Sequence, residues 1–286
     1  MLIRVKNVTH IYSQDHQVTA LDDINLVIEE KEFIGLIGHT GSGKSTLVQL
    51  FNGLIKPTRG QVFIDGIDIT AKDVNLRGIR QKIGLVFQYP EHQLFEETVF
   101  DDIAFGPRNL NLDQDKIESR VREALGLVRL DFDNFKDRSP FNLSGGQQRK
   151  VAIAGVLAMK PKVLIMDEPT AGLDPQGREQ LISMLEHLQH EYDMTIIFIS
   201  HRMEEIARLA DRVIVMSEGK IELDGSPEKV FAHVERLKEL GLGLPDITEV
   251  LWRIKKKGRD VRTDIFTIPG AIAEISRELR RKTNAK

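Results

Sequence analysis

The chain contains no cysteine, which excludes disulfides and thiolate metal sites. It has no long apolar run either: the longest, Val151 to Met159, falls well short of the roughly 18 residues that a membrane-spanning helix needs. Any membrane role must therefore be peripheral. No signal-peptide pattern opens the sequence, so the expectation is a cytosolic chain. An excess of one charge is lacking too. The 40 Lys and Arg stand against 43 Asp and Glu, a net charge of -3, too balanced to mark nucleic acid or a strongly acidic partner as the main business. Along the chain the balance is uneven: from Leu251 to the end eleven Lys/Arg face four Asp/Glu, so the tail carries +7 and the remainder -10. There is no internal repeat and no low-complexity segment.

What is present is an ordinary globular composition over 286 residues, enough for one large domain or one domain with a small extension. The opening LIRVKNVTHIYS and ALDDINLVIEEKEFIGLIG alternate apolar and polar residues in short runs, which predicts half-buried antiparallel strands. Ile34 to Ile37 runs into a glycine-rich turn, and TLVQLFNGL follows with helical spacing to near Gly53. After a turn at Lys56 to Gly60, QVFIDG returns the chain to the sheet. From about residue 89 to 160 the pattern is helical, and it reads as a helical subdomain inserted into an α/β core. VLIM at 163–166 and MTIIFIS at 194–200 are nearly continuous apolar runs, as expected of strands covered on both faces in a parallel sheet, with a helix around Arg178 to His190 between them. VIVMSEGKIELDG reads as a closing hairpin turning at Glu218 and Gly219. The expected division is residues 1–225 as one α/β domain with that helical insertion, and 226–286 as a mostly helical C-terminal extension.

Four phosphate-handling signals occur in order: GHTGSGKST at Gly38 to Thr46, LSGGQ at Leu143 to Gln147, VLIMDEP at Val163 to Pro169, and His201. The first fits the G-x-x-x-x-G-K-[ST] phosphate loop in its required strand, turn and helix context. Gly38, Gly41 and Gly43 let backbone N–H groups close around a β-phosphate without a Cβ in the way, and the following helix offers its positive end. Together with His39, Thr40, Ser42 and Thr46 they form the candidate nucleotide cradle. Lys44 is placed to neutralise the β- and γ-phosphates and Ser45 to put its hydroxyl on Mg²⁺. At the end of the VLIM strand, Asp167 is suited to hold Mg²⁺ and Glu168, one residue on, to polarise an attacking water as general base. In the second signal Ser144 is a good N-cap, and Gly145 and Gly146 leave first-turn N–H groups uncovered beside Gln147, a construction able to grip a γ-phosphate.

This set, with matches from Tyr12 to His201, resembles the ATP-binding cassette of ABC transporters. The resemblance implies ATP and Mg²⁺ as cofactors and an active ATPase site. It implies that Tyr12 stacks on adenine, that Gln88 in VFQYPE reaches Mg²⁺ and the water and reports occupancy to a membrane partner, and that Asp174 in AGLDP sits in a dimer-contacting loop. It gives His201 the part of a switch residue that contacts the γ-phosphate and helps Glu168 orient water. Because the family fold puts LSGGQ too far from its own P-loop to share a nucleotide, two chains are expected head to tail, with ATP between Lys44 of one and Ser144 of the other.

Two segments resemble a narrower group, the energy-coupling factor (ECF) importers of vitamins and metals. QYPEHQLFEETVFDDIAFGPRN is similar to that group's coupling segment, and SPFNLSGGQQRKVAIAGVLAMKP to its signature helix. His39-Thr40 and EHQLFEETV look most like the second of its two paralogous ATPases. The implied partners are a sister ATPase, or a second copy of this chain, and a transmembrane coupling protein pressed onto Glu91, His92, Gln93, Leu94 and Phe95. A substrate-binding membrane subunit is contacted only indirectly, and the implied location is the cytoplasmic face of the membrane. LKELGLGLPDITEVLWRIKKKG resembles the extra C-terminal domain of these ATPases, expected to meet its counterpart in the partner. The basic clusters Lys255 to Lys257 and Arg280 to Lys282 read as solvated helix faces, with anionic lipid as the alternative. Another ABC importer subclass remains as a second reading. Soluble ABC ATPases acting on nucleic acid or ribosomes carry two cassettes or a long coiled-coil insertion, and this sequence has neither; a non-hydrolysing regulatory subunit is opposed by intact Glu168 and His201.

Overall fold

The computed structural model describes residues 1–12 and 18–283, the side chains of Lys282 and Thr283 excepted. Lys282 of the second basic cluster therefore lies outside the described side chains. An antiparallel sheet is built from β1 (Ile3–Tyr12), β2 (Val18–Ile28), β4 (Arg59–Ile64) and β5 (Ile67–Asp68) in the order β2-β1-β4-β5. A second sheet has the order β10-β9-β3-β8-β7-β6. Its members are β3 (Phe33–Ile37), β6 (Ile83–Val86), β7 (Val163–Asp167), β8 (Thr195–Ile199), β9 (Arg212–Ser217) and β10 (Lys220–Gly225), parallel except for β10.

Every residue of β3, β6 and β8 is buried, as the continuous apolar runs predict. Alternation then divides the central strands between two cores. Leu164, Met166, Ile196 and Phe198 face the helical side, while Val163, Ile165, Ile197 and Ile199 join the antiparallel sheet and helix α1 (Lys44–Phe51). Each such side chain, taken fully out of water, contributes about 1.5–3 kcal/mol, so the strand ends that carry the polar residues are anchored from both faces.

Between β4 and β6 lies α2 (Leu76–Lys82), which has no counterpart among the expected elements; Asn75 caps it by accepting the Arg77 and Gly78 N–H groups. The inserted helical subdomain follows as expected. It holds α3 (Val99–Asn109), α4 (Gln114–Leu127), α5 (Phe132–Phe135) and α6 (Gly145–Leu157). A long helix, α7 (Pro175–Tyr192), crosses between β7 and β8, and α8 (Met203–Leu209) leads from β8 to β9. The hairpin turn falls on Glu218 and Gly219, with φ 48° and 77°, the left-handed pair a two-residue turn requires.

Four C-terminal helices complete the chain: α9 (Pro227–Ala232), α10 (Val234–Glu239), α11 (Asp246–Lys256) and α12 (Ile268–Thr283). They divide by packing. Val230, Phe231, Val234, Leu237, Leu242 and Leu244 belong to the large helical-side core, whereas Leu251, Val261 and Ala271 form a small core of their own. Of the basic clusters, Lys256 sits 4.0 Å from the Trp252 ring and Arg281 pairs with Asp260 at 2.8 Å.

Candidate active site

The loop between β3 and α1 turns on glycine. Gly41 and Gly43 have φ 82° and 103°, where other residues are strained, and a Cβ on Gly43 would come within 2.5 Å of the Ala20 carbonyl oxygen. Gly43 also occupies the N-cap position of α1 without any side-chain cap, so first-turn N–H groups of that helix point into the loop. Lys44 is buried, and its Nζ donates to the carbonyls of Gly38 (2.7 Å) and His39 (3.0 Å), using two of three N–H donors. Ser42 Oγ is buried with no hydrogen-bond partner among the described residues.

The ends of β7 and β8 bring the acidic residues to this loop. Ser45 Oγ donates to Asp167 Oδ2 at 3.1 Å. Glu168 turns off the strand at φ 48°, its N–H donating to the Ile199 carbonyl at 3.0 Å. One Glu168 oxygen lies 2.7 Å from His201 Nε2, and the other accepts from Gln88 Nε2 at 3.4 Å. Tyr12 reaches from the end of β1, its hydroxyl 3.3 Å from Thr46 Oγ1 and its ring edge-on to His10.

These groups enclose a cavity of about 600 Å³, lined by Tyr12, Val18 to Ala20, Thr40 to Thr46, Gln88, Asp167, Glu168 and His201. The volume suits a nucleotide-sized ligand. Its electrostatics ask for one. Burial pulls the Lys44 ammonium below its ordinary pKa against the pull of Asp167 and Glu168. Burial likewise pushes Asp167 up; Ser45 opposes the shift and the Glu168 charge adds to it. Both shifts disfavour the charged forms, and a bound polyanion with a cation would reverse both. The donor set fits that ligand: uncovered N–H groups, one ammonium and an unpartnered buried hydroxyl for phosphates, and a hydroxyl beside a carboxylate for a hard cation that keeps water and phosphate ligands. Among the described residues no cluster of three or more His, Asp or Glu is arranged for a metal, so a cation here would depend on the phosphates for its remaining ligands.

Two of the nine cradle residues stand outside that lining. Gly38 serves through its carbonyl, and the His39 ring turns away, its Nδ1 donating to the Thr40 carbonyl at 2.8 Å and its Nε2 lying 3.3 Å from Ser217 Oγ. The LSGGQ residues are also elsewhere. Ser144 and Gln147 form a reciprocal capping box at the start of α6, and Ser144, Gly146 and Gln147 line a separate cavity of about 240 Å³ with Asp174; Gly145 is exposed beside them. Asp174 itself caps α7, accepting the Gly177 N–H at 2.7 Å.

The segment after Gln88 is divided between surface and interior. Of Glu91, His92, Gln93, Leu94 and Phe95, the structure leaves His92, Gln93 and Phe95 at the surface. Leu94 is buried in the helical-side core, and Glu91 is drawn inward by Arg149, whose Nε and Nη2 donate to its two oxygens at 3.0 and 2.9 Å. Leu94 nonetheless lines the apolar groove beside the segment, and the Glu91 side chain stays 18% exposed. That groove, of about 300 Å³, is lined by Gln93, Leu94 and Phe95 of the segment, with Phe87, Phe95 and Phe105 exposed and Leu54 forming part of the wall. Sequence reasoning missed Arg149, although it falls on a buried stripe with Ile153 and Leu157 at four-residue spacing.

The ABC transporter family pattern matches residues 21–171. The energy-coupling factor transporter ATP-binding protein EcfA2 of Clostridium tetani is 54% identical over 277 residues, covering 96% of each chain. The protein of the same name in Caldanaerobacter subterraneus is 52% identical over 286 residues, covering 99% of this chain and 100% of that one. The chain belongs to the energy-coupling factor group of the ABC transporter family. Solved cassettes agree. The cbiO1 structure from Clostridium perfringens, described as part of the ABC transporter complex cbiONQ, is 40% identical with a TM-score of 0.73, covering 86% of this chain and 96% of that one. A dimeric cassette in a post-hydrolysis state bound to ADP and Pi is 32% identical with a TM-score of 0.71, covering 79% and 99%. The expected cassette fold, with its antiparallel sheet and inserted helices, is thus borne out.

Proposed function

We propose that this chain is the ATP-hydrolysing subunit of an energy-coupling factor importer, powering uptake of a vitamin or metal ion through a transmembrane coupling protein and a substrate-binding membrane subunit. One observation carries the reading. The P-loop, Asp167, Glu168, Gln88 and His201 meet at one cavity, while Ser144 and Asp174 lie outside it.

In this reading the α1 N–H groups and Lys44 hold the β- and γ-phosphates, and Tyr12 stacks on the base. Mg²⁺, when bound by Ser45 and Asp167, supplies charge neutralisation at the phosphate oxygens. Glu168 takes the proton of the attacking water, and His201 and Gln88, each already on one of its oxygens, hold the carboxylate in aim. A second cassette completes the site with its own Ser144, Gly145, Gly146 and Gln147, and with its Asp174 loop. That cassette is a sister ATPase, or a second copy of this chain where no sister exists. Loss of the γ-phosphate removes the bridge between the two, which is how hydrolysis shifts the assembly between conformations.

The coupling protein sits in the groove of Phe87, Phe95 and Phe105, next to Gln88 and with exposed His92 and Gln93 at hand. No helix among the described residues is long and apolar enough to cross a membrane. In this reading the contact with the coupling protein holds the chain at the cytoplasmic face. The small C-terminal unit of α11 and α12 exposes Ile268 and Ile272 one turn apart, a surface suited to the partner's counterpart. The test is the membrane complex in vesicles: uptake should require ATP hydrolysis, and Lys44→Ala should abolish both nucleotide binding and uptake. Uptake that persists in that variant overturns the reading.

A further inference from the structure

Glu205 is a charged residue on the buried face of α8 that none of the phosphate signals accounts for. It is 4% exposed. A single carboxylate oxygen, Oε2, accepts from Thr170 Oγ1 at 2.9 Å and from Ser200 Oγ at 3.0 Å. Thr170 stands two residues after Glu168, and Ser200 immediately precedes His201. The parallel ladder of β7 and β8 ends at Asp167 opposite Ile199, so beyond the Glu168 N–H bond to Ile199 the two chain segments no longer share sheet pairing. From there on, besides the direct contact of Glu168 with His201, Glu205 is a group that both segments touch.

Its other oxygen faces cations. Glu205 Oε1 lies 3.0 Å from Arg202 Nε and 3.5 Å from Arg178 Nε, with hydrogen-bond geometry to neither. Arg178 belongs to α7, and its Nη2 donates at 3.4 Å to the carbonyl of Leu173, the residue before Asp174. Ser200 Oγ in turn accepts the Arg202 N–H at 3.0 Å. One carboxylate therefore joins the Glu168 segment, the His201 segment and, through Arg178, the Asp174 loop. A buried carboxylate is costly where packing alone is needed, because an apolar residue would fill the space without desolvating a charge. What a carboxylate adds is direction: two hydroxyls converge on one oxygen while the other stays between guanidinium groups.

We propose that Glu205 is a positioning residue, which sets the separation of Glu168 and His201 and ties it to the Asp174 loop. The proposal rests on the reading of Glu168 and His201 as the hydrolytic pair. The contact between those two is 2.7 Å, and small displacements of reacting groups cost rate steeply.

The experiment uses the full chain in its assembled ATPase complex, with kcat, KM for ATP and affinity for a non-hydrolysable ATP analogue measured for each variant. Thr170→Val and Ser200→Ala each remove one hydroxyl with little change of volume; Thr170→Ser keeps it. The double variant Thr170→Val with Ser200→Ala should lower kcat by roughly ten- to a hundredfold. Its analogue affinity should stay within about twofold of wild type, because the P-loop is untouched. Thr170→Ser should restore near wild-type turnover. Glu205→Gln should lower kcat with the same unchanged affinity; if it does not fold, the hydroxyl variants decide. Wild-type kcat in the double variant overturns the proposal, and so does a loss in which Thr170→Ser is as impaired as Thr170→Val. Glu168→Gln separates the two levels: near wild-type turnover there removes the underlying pair, whereas its loss together with an intact double variant removes only the clamp.

Discussion

Arg149 holds Glu91 through two parallel donors, and its Nη1 donates at the same time to the carbonyls of Pro169 (3.1 Å) and Ala171 (2.7 Å). One guanidinium thus ties α6 to the segment leading from Gln88 and to the loop that follows Glu168. The planar fork suits this task, since a lysine ammonium offers no bidentate face. Arg149→Ala should leave the Glu91 carboxylate largely buried and unpaired and cost about 3 kcal/mol of stability. Denaturant unfolding checks it. Arg149→Lys should recover only part of the loss.

The same pair predicts an acid response. Burial tends to raise the Glu91 pKa, but the hydrogen bond and charge of Arg149 outweigh it, and the net shift is downward from 4.5. For a carboxylate depressed on folding, the stability it contributes is fully present above the unfolded value. It is lost as pH falls below about 4.5 and through the folded value. Urea midpoints of wild type and Glu91→Gln should therefore differ at neutral pH and converge on acidification. A gap that widened below pH 4.5 would contradict the assignment.

Phe95 and Phe105 meet edge to face at 5.0 Å on the rim of the apolar groove, and both are exposed. Replacing Phe95 by Ala should cost only about 1 kcal/mol of stability, the scale of one aromatic pair. Its larger effect should be on coupling: ATP binding and cassette assembly intact, substrate uptake sharply reduced. Paired measurements of analogue binding and vesicle uptake distinguish this from loss of the fold, which would lower both.

Much of the site can be read from residues close together in sequence. The turn of Gly41 and Gly43, the N-cap at Ser144 and the apolar strands delivering Asp167 and His201 are local, and local chemistry decides them. What escaped is long-range. Glu91 reads as a surface acid because Glu usually is one, and only the folded chain brings Arg149, 58 positions away, against it. Leu94 and Phe95 are neighbours of similar hydrophobicity, yet one enters the core and the other stays exposed, a choice made by the turn at Pro90 and the packing of α3 and α6. Arg149 and Glu205 carried a usable signal, since each is the charged member of a buried helical face, but charge alone suggested solvent.

The central claim is that ATP is cleaved in this cavity with Glu168 as the base, and Glu168→Gln in the purified membrane complex tests it most directly. Turnover should fall by at least about a hundredfold, the scale of losing a general base, while ATP stays bound and uncleaved with the two cassettes held together. Turnover near the wild-type rate, with ADP released normally, would contradict the account.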